Sequence, residues 1–518
     1  MQKTERNTGL LLHITSLGGD YGIGSLGKNA RLFIDYLNQT GVKYWQILPF
    51  NPVVRNFGYS PYASTSTFAG NPLFIDCADV IDMFDFLSVD MLPPVMEPSD
   101  FISFETVDDE HNRFFSRVYH AFSQKASLQH KDEFNLFCES NSTWLDDYGL
   151  FTVLSDIYQT NSWINWPEKY ARRDLGSITK AFEEFKDGIN QVKFIQYVFF
   201  KQWENFRKHC KEKSVQIIGD IPIYVSYDSS DAWANPELFL LNSKGIPDPV
   251  AGVPPDYFSK TGQRWGNPIY RWFKDDKPNH EVFEWWHLRI KHLLKITDLI
   301  RIDHFRAFES YWAIPEKEET AVIGSWEKGP GRLLFDYLKE KMGNLPFIAE
   351  DLGIITKEVV ALREELGFPG MKVLQFAFDQ NPDNDYLPHS LQDTNTVLYT
   401  GTHDNNTSNG WFYGEDINKE TREYIIEYLG MDSDSCFHKK LIKTALRSTA
   451  ETVIIPVQDL LGFSSEFRMN TPGTMKHSNW RWQLKDINRI YEESWFLKRC
   501  NAIYNRLKPV DHKSKEPS

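Results

Sequence analysis

The sequence has few cysteines and lacks long uncharged apolar runs. Its 5 cysteines are scattered singly, so we expect neither a disulfide framework nor a zinc site. No apolar run approaches the ~18 residues that a membrane-spanning helix requires. The apolar stretch within residues 1–19 is too short for the hydrophobic region of a secretory signal peptide. We therefore expect a cytoplasmic protein that needs no metal or other cofactor and does not bind membranes.

The chain also lacks an excess of basic residues. Its formal net charge is −14 at pH 7, and an acidic surface repels phosphate backbones, which argues against a nucleic-acid partner. No phosphate-binding loop with Gly-Lys-Ser/Thr occurs, and no Gly-x-Ser-x-Gly elbow supports a serine hydrolase. The segment "GIGSLG" at residues 22–27 matches the dinucleotide pattern only formally, because no acidic residue follows about 20 residues later. We interpret it as a tight turn.

Aromatic residues, in contrast, are abundant. Phe, Trp and Tyr make up 15% of the chain, with 16 Trp and 23 Tyr. Such rings fill protein cores, and they also stack on the apolar faces of sugars. Composition alone leaves both uses open.

Apolar runs at intervals along the chain predict a barrel. Helix-like stretches separate many of these runs, and their near-continuous apolar character is typical of parallel strands that are buried on both faces. The runs lie at residues 9–14, 44–50, 215–221, 299–304, 346–351, 372–378, 396–404 and 452–461. They favour an α/β fold of the (β/α)₈ TIM-barrel type, with a doubly wound open sheet as the alternative.

The length of the chain requires additions to such a barrel. A plain barrel needs about 250 residues, and this chain has 518. We expect residues 1–510 to form a single catalytic barrel with a mainly helical insertion at about 77–190. A second insertion, at about 222–295, should consist of aromatic loops rich in Gly and Pro. Residues 511–518 are polar, and we expect a disordered tail there.

Acidic residues follow three of the predicted strands. Asp303, Glu350 and Asp404 would face one mouth of the barrel, because active sites gather where barrel strands end. Arg301 and Asp303 share a face of their strand, so we expect Arg301 to lower the pKa of Asp303 and keep it ionised. A structural ion pair is the alternative for that pair alone. Three carboxylates at one mouth favour catalysis, because unpaired like charges are costly there.

Several carboxylates without a metal suit glycoside cleavage. One carboxylate attacks or stabilises the anomeric carbon, and a protonated partner donates its proton to the departing oxygen. A neighbouring anion raises the pKa of that partner. Glu350, close to Asp303 and Asp404, would be the proton donor.

Two further segments carry candidate binding residues. Residues 252–272 contain too many Pro and Gly residues for a helix, so we interpret them as a long loop whose aromatic rings stack on a ligand. The segment "SPYASTSTFAGNPLFID" at 60–76 is similar, and its Ser60 and Tyr62 are positioned to line a groove.

Together these segments resemble the 4-α-glucanotransferases called amylomaltases or disproportionating enzymes, glycoside hydrolase family 77. The resemblance extends from about residue 9 to about residue 482. It rests on the number and order of the motifs "SPYAS", "GDIPIYV", "PPDYFSKTGQRWGNP", "RIDHFR", "AEDLG", "GFPGMKVLQFAF", "GTHDNNT" and "FRMNTPGT".

The resemblance implies a (β/α)₈ barrel with inserted subdomains and no carboxy-terminal β-sandwich. It implies that Asp303 is the nucleophile, Glu350 the general acid/base and Asp404 the stabiliser of the transition state. It further implies sugar-binding roles for Tyr62, Asp220, Tyr257, Phe258, Gln263, Trp265, Arg301, His304, Phe376, Asp379, His403 and Asn470.

The activity that the resemblance implies is retaining transglycosylation. A segment of an α-1,4-glucan would pass through a covalent glucosyl-enzyme to the 4-hydroxyl of another glucan or of glucose. An α-glucan hydrolase with the same carboxylates is one alternative, and a catalytically silent glucan-binding protein is another. The chain departs from the family pattern at Ala307, Ser478 and Gln483, which concerns local loop geometry and the affinity for long glucans.

Overall fold

A closed barrel of eight parallel strands forms the centre of the molecule. The computed structural model describes residues 5–255, 259–432 and 436–507. In chain order, the barrel strands are Asn7–Leu11, Tyr44–Gln46, Gln216–Ile221, Leu299–Ile302, Phe347–Ala349, Gly370–Val373, Thr396–Tyr399 and Thr452–Pro456. Each strand pairs with the next one, and the eighth pairs in parallel with the first. The barrel prediction is therefore confirmed, and the open sheet is excluded.

The observed strands are shorter than several of the apolar runs that predict them. The fourth strand ends at Ile302 and the fifth at Ala349, just before Asp303 and Glu350. One last backbone hydrogen bond still ties each acid to the neighbouring strand. The Asp303 N–H donates to the Ile221 carbonyl at 3.0 Å, and the Glu350 N–H donates to the Ile302 carbonyl at 3.0 Å. Both acids therefore stand at the rim, on a rigid backbone.

The first helix shows how local sequence builds the outer layer. It spans Lys28–Thr40 and buries Ala30, Phe33, Ile34 and Leu37, which recur at helical spacing, against the barrel core. Gly41 ends the helix in the left-handed conformation, with φ of 73°, and its N–H caps the last turn.

Most of the remaining helices lie in the connections. Between the second and third barrel strands the α-helices are Cys77–Met83, Phe104–Lys125, Leu128–Ser140, Ser142–Tyr158, Glu168–Ala171, Leu175–Glu184 and Lys186–Glu212. The later α-helices are Ser230–Ala234, His280–Ile296, Arg332–Met342, Lys357–Leu366, Ser408–Tyr413, Lys419–Leu429, Phe437–Arg447, Val457–Leu460 and Ser494–Ile503. Within the described ranges, no helix combines the length and apolarity that crossing a bilayer requires.

A small antiparallel sheet lies beside the barrel. Its strands, in spatial order, are Ser325–Lys328, Ser310–Ile314, Val250–Val253 and Gln263–Pro268. The prediction of a long loop over 252–272 is therefore wrong for its residues 252–253 and 263–268, which pair within this sheet. A two-stranded ribbon, Phe273–Lys274 with Lys277–Pro278, follows. The tail predicted at 511–518 lies outside the described residues.

Candidate active site

The polar residues predicted to form a site meet at the carboxyl ends of the barrel strands. Asp220 lies in the third strand and faces Arg301 of the fourth strand in register. Asp303 and Glu350 directly follow the fourth and fifth strands, and Asp404 lies in the loop after the seventh. The three acids thus stand on different strands at one mouth.

Arg301 connects two of these carboxylates. Its Nη1 donates to both Asp220 oxygens, at 2.9 and 2.8 Å, and its Nη2 donates to Asp303 Oδ1 at 2.9 Å. The Tyr62 hydroxyl donates to Asp220 Oδ2 at 2.7 Å. Because Arg301 and Asp220 are both buried, this network fixes the orientation of the Asp303 carboxylate from below.

The pKa of Asp303 departs from the sequence expectation. The side chain keeps 31% of its surface exposed, yet the pocket walls exclude much of the surrounding water. This burial raises the pKa of Asp303, and the Arg301 guanidinium opposes the rise without reversing it. The expectation of a lowered pKa is wrong, because Arg301 also serves Asp220 and because the Asp220 and Asp404 charges act against ionisation.

Glu350 is placed to hold a proton near neutral pH. Burial and the nearby Asp303 charge raise its pKa to about 7, against the opposing influence of Arg301. Its Oε2 accepts the His304 N–H at 2.7 Å, and its Oε1 accepts the Leu352 N–H at 2.9 Å. These two backbone donors favour the ionised form and limit the rise of the pKa.

His304 joins the loop after the fourth barrel strand to both Glu350 and the small antiparallel sheet. Its backbone is left-handed, with φ of 54°, a conformation that is uncommon outside glycine. The Trp265 ring meets the His304 ring edge-on, with the ring centroids 4.9 Å apart. Burial lowers the pKa of His304 to about 3, so the ring is neutral and can donate or accept hydrogen bonds with sugar hydroxyls.

Asp404 is held from the opposite side of the mouth. Asn470 Nδ2 donates to Asp404 Oδ1 at 2.6 Å, and His403 Nε2 lies 3.4 Å from Asp404 Oδ2. The His403 ring stacks on Tyr62, with centroids 5.1 Å apart and an interplanar angle of 15°. Tyr62 thereby contacts both the Asp220 side and the Asp404 side of the pocket.

The remaining predicted binding residues are not all at this pocket. Gln263 accepts the Trp265 Nε1–H at 3.2 Å and lies in the same strand. Ser60 shapes a turn in which its Oγ accepts the Tyr62 N–H at 3.3 Å. Asp379 is exposed and accepts the Asn381 N–H.

Phe376 is half-buried and meets Tyr386 edge-on, with centroids 6.0 Å apart. Tyr257 and Phe258 lie outside the described residues. Among the residues that the structure describes, no hydrogen bond joins Ser60 or Asp379 to the three acids, and the binding roles predicted for Ser60, Asp379 and Phe376 stay predictions.

Trp480 is a pocket residue that the sequence patterns did not single out. Its ring lies 5.8 Å from Tyr62 and 6.0 Å from His403, measured between centroids. The available indication was its place in "NWRW", shortly after the polar segment that contains Asn470.

The three departures from the family pattern make no described contact with the three acids. Ala307 is fully buried in the short 3₁₀ helix Phe305–Phe308. Gln483 donates to the Gly22 carbonyl at 3.2 Å, and Ser478 is exposed.

Comparisons with known proteins agree with this arrangement. A family model described as 4-alpha-glucanotransferase matches residues 12–488. The 4-alpha-glucanotransferase of Clostridium butyricum is 42% identical over 499 residues, which are 94% of this chain and 100% of that protein. The enzyme of Thermus thermophilus is 41% identical over 486 residues, covering 92% and 95% of the two chains. Among solved structures, the amylomaltase from Streptococcus agalactiae in complex with acarbose superimposes with a TM-score of 0.92 at 35% identity, covering 97% of this chain and 100% of that one.

Proposed function

The chain belongs to the 4-alpha-glucanotransferase family, glycoside hydrolase family 77, and from that premise we propose how its own residues carry out the transfer. The substrate is an α-1,4-glucan. A segment of this donor passes to the 4-hydroxyl of a second glucan or of glucose, and the configuration at the anomeric carbon is retained. The pocket of Asp303, Glu350 and Asp404 performs both halves of the reaction.

In the first half, Asp303 attacks the anomeric carbon while Glu350 donates its proton to the departing glycosidic oxygen. The bond from the anomeric carbon to that oxygen breaks, and an ester bond to Asp303 forms. Asp404 lies across the mouth, where its negative charge stabilises the positive charge that develops on the sugar ring. The shortened glucan leaves with the proton.

In the second half, the acceptor replaces the leaving glucan. Glu350 is now ionised and removes the proton from the acceptor 4-hydroxyl, whose oxygen attacks the anomeric carbon and displaces Asp303. The backbone N–H groups of His304 and Leu352 stabilise the ionised Glu350 of this step. Glu350 and Asp303 return to their starting protonation states.

The observation that carries this proposal is that two neighbouring carboxyl groups accept hydrogen bonds from different kinds of donor. Asp303 accepts a charge-assisted bond from Arg301, whereas Glu350 accepts hydrogen bonds from the backbone N–H groups of His304 and Leu352. When the pair holds one proton, that proton therefore rests on Glu350, whose pKa is about 7. A charged nucleophile beside a protonated acid is the state that glycoside cleavage requires.

Transfer requires that the acceptor sugar outcompete water. Trp265 stands exposed beside His304, and Tyr62 and Trp480 line the opposite side of the pocket. Each aromatic ring can bury roughly 150–250 Å² against a ligand, which holds the acceptor and excludes solvent. Family membership also favours transfer over the hydrolase alternative.

Incubation with maltotriose tests the proposal. Transfer yields glucose together with oligosaccharides longer than maltotriose. Hydrolysis yields only products no longer than the substrate, and a silent binding protein yields no products. The Asp303→Asn variant is the control for contaminating enzymes, because a contaminant would still form products in a preparation of this variant. Longer oligosaccharides from the wild type alone support the proposal, whereas their absence would overturn it.

Finer assignments belong to the same proposal. The Streptococcus agalactiae amylomaltase was solved with acarbose, and we infer that acarbose binds the corresponding pocket here. We also keep residues 1–510 as one catalytic unit and a cytoplasmic location, which the five free cysteines of the described chain suit. Competition by acarbose tests its binding to the pocket. Limited proteolysis tests whether residues 1–510 form one unit, and cell fractionation tests the location.

A further inference from the structure

Arg468 is tied to the backbone of the Asp404 loop. It follows the 3₁₀ helix Ser465–Phe467 and is half-buried. Its Nη2 donates to the Asp404 carbonyl at 2.6 Å, and its Nε donates to the Asn470 carbonyl at 2.6 Å. One guanidinium therefore bridges two segments that lie 66 residues apart in the chain.

Asn470 adds hydrogen bonds of its own to the Asp404 loop. Its Nδ2 donates to Asp404 Oδ1 at 2.6 Å, and its N–H donates to the His403 carbonyl at 3.1 Å. Arg468 thus holds the backbone of Asp404 and also the backbone of the residue that bonds the Asp404 carboxylate. The result is a closed ring of hydrogen bonds through Arg468, Asn470 and Asp404.

The other polar contacts of Asp404 are longer. Its N–H reaches Thr402 Oγ1 at 3.3 Å, and its Oδ2 lies 3.4 Å from His403 Nε2. The Asp404 side chain is 44% exposed, so packing alone does not fix its orientation. Within the described part of the chain, the two short bonds at Asp404 come from Arg468 and from Asn470, the residue that Arg468 holds.

We propose that Arg468 is a positioning residue, which sets the place of the Asp404 carboxylate beside the reacting sugar through its two backbone carbonyl contacts. This inference rests on the proposed function, since it assumes that Asp404 acts on the transition state. The planar guanidinium donates from two nitrogens in a fixed geometry, which a lysine ammonium does not reproduce.

Substitution of Arg468 tests the inference with α-maltosyl fluoride as donor, since this good leaving group keeps slow variants measurable. Arg468→Met should lower kcat by roughly 10²-fold, the effect expected when a catalytic group shifts by about 1 Å, with a smaller change in KM. Arg468→Lys should recover part of the loss through a single bond. Arg489→Met is the matched control, because Arg489 is an exposed arginine whose guanidinium stacks on the Phe463 ring of the same region, 4.6 Å from its centroid.

A double-mutant cycle with Asp404→Asn separates positioning from a general structural role. If Arg468 acts through Asp404, Arg468→Met should cost little further activity once Asp404 has been replaced. Fully multiplicative losses, or a rise in KM at unchanged kcat, would overturn the inference. Circular dichroism and the unfolding midpoint show whether a variant is misfolded. If Arg468→Met is misfolded, the same double-mutant cycle is measured with Arg468→Lys. Wild-type transfer in the same assay shows whether the proposed function itself holds.

Discussion

At the scale of single residues, the proposed reaction depends on which of two acids, Asp303 or Glu350, holds a proton. Burial raises the pKa of both Asp303 and Glu350, and Arg301 bonds only to the first of them in the described contacts. The proton therefore resides on Glu350 with a pKa of about 7. Because the acid must be protonated to act, activity should fall as pH rises through that value.

The pH dependence of donor cleavage should reflect this proton. For an unactivated malto-oligosaccharide, we expect kcat/KM to fall tenfold per pH unit above about pH 7, as Glu350 loses its proton. For α-maltosyl fluoride, the fall should be weaker, because fluoride departs without a proton. Steady-state rates with both donors between pH 5 and 9 provide the measurement.

The Glu350→Gln variant is the control for that assignment. It should lose roughly 10²–10⁴-fold in rate on the unactivated donor and much less on the fluoride in the first step. If the same alkaline fall persisted in this variant, another group would be responsible for it.

At the scale of elements, the small antiparallel sheet presents aromatic rings at two of its strands. Trp265 lies on the strand Gln263–Pro268 beside His304, and its side chain is 38% exposed. Trp326, on the strand Ser325–Lys328 at the other edge of the sheet, is 41% exposed. The two residues are similarly exposed rings of the same sheet but differ in their contacts, because Trp265 meets the His304 ring whereas Trp326 packs against Trp312 and Arg306.

Removal of the Trp265 ring should favour water over sugar. If the ring holds the acceptor and excludes solvent, as we propose, Trp265→Ala should raise the ratio of hydrolysis to transfer several-fold. Trp326→Ala is the matched control and should leave the ratio unchanged. Glucose release and oligosaccharide formation from maltotriose give the ratio, and equal losses of both rates in Trp265→Ala would refute the role.

The barrel elements could be predicted from sequence, but this sheet could not. Eight apolar runs, several of which end in a polar cluster, reflect strands buried on both faces, and the acids at 303 and 350 fall where two of those strands end. The strand Gln263–Pro268 instead depends on pairing with Val250–Val253, which in turn pairs with Ser310–Ile314. Local composition rich in Gly and Pro does not reveal such pairing.

The electrostatics of the site could likewise be predicted only in part from the sequence. The sequence places Arg301 two residues before Asp303, and the predicted ion pair forms at 2.9 Å. It does not reveal that Asp220, from another strand, shares the same guanidinium. Burial and shared partners are tertiary properties, and they reverse the expected direction of the Asp303 pKa.

At the scale of the whole molecule, Arg506 closes the end of the barrel opposite the acids. Its guanidinium donates to the carbonyls of Asn7, Leu446 and Ala450, at 2.8, 2.7 and 3.0 Å. The residue is 2% exposed, and burial lowers its pKa to about 9. The carboxy-terminal segment is thereby joined to the start of the first barrel strand.

Loss of this connection should destabilise the fold without changing the chemistry. Arg506→Ala removes several buried charge-assisted hydrogen bonds, so we expect a loss of about 3 kcal/mol in the free energy of unfolding, although Arg6 Nη2 still donates to the Leu446 carbonyl at 2.8 Å. Arg499→Ala, an exposed arginine on the last helix, is the control and should be near neutral. Urea unfolding followed by tryptophan fluorescence gives the comparison, and equal midpoints for the two variants would contradict the role of Arg506.

Trapping of the covalent intermediate tests the central claim most directly. A fluorinated maltosyl fluoride should form the ester quickly and release it slowly, so that the label accumulates on the protein. Peptide mass mapping should then find the label on Asp303, and the Asp303→Asn variant should remain unlabelled. A label on another residue, or an active enzyme that never becomes labelled, would contradict a mechanism in which Asp303 is the nucleophile.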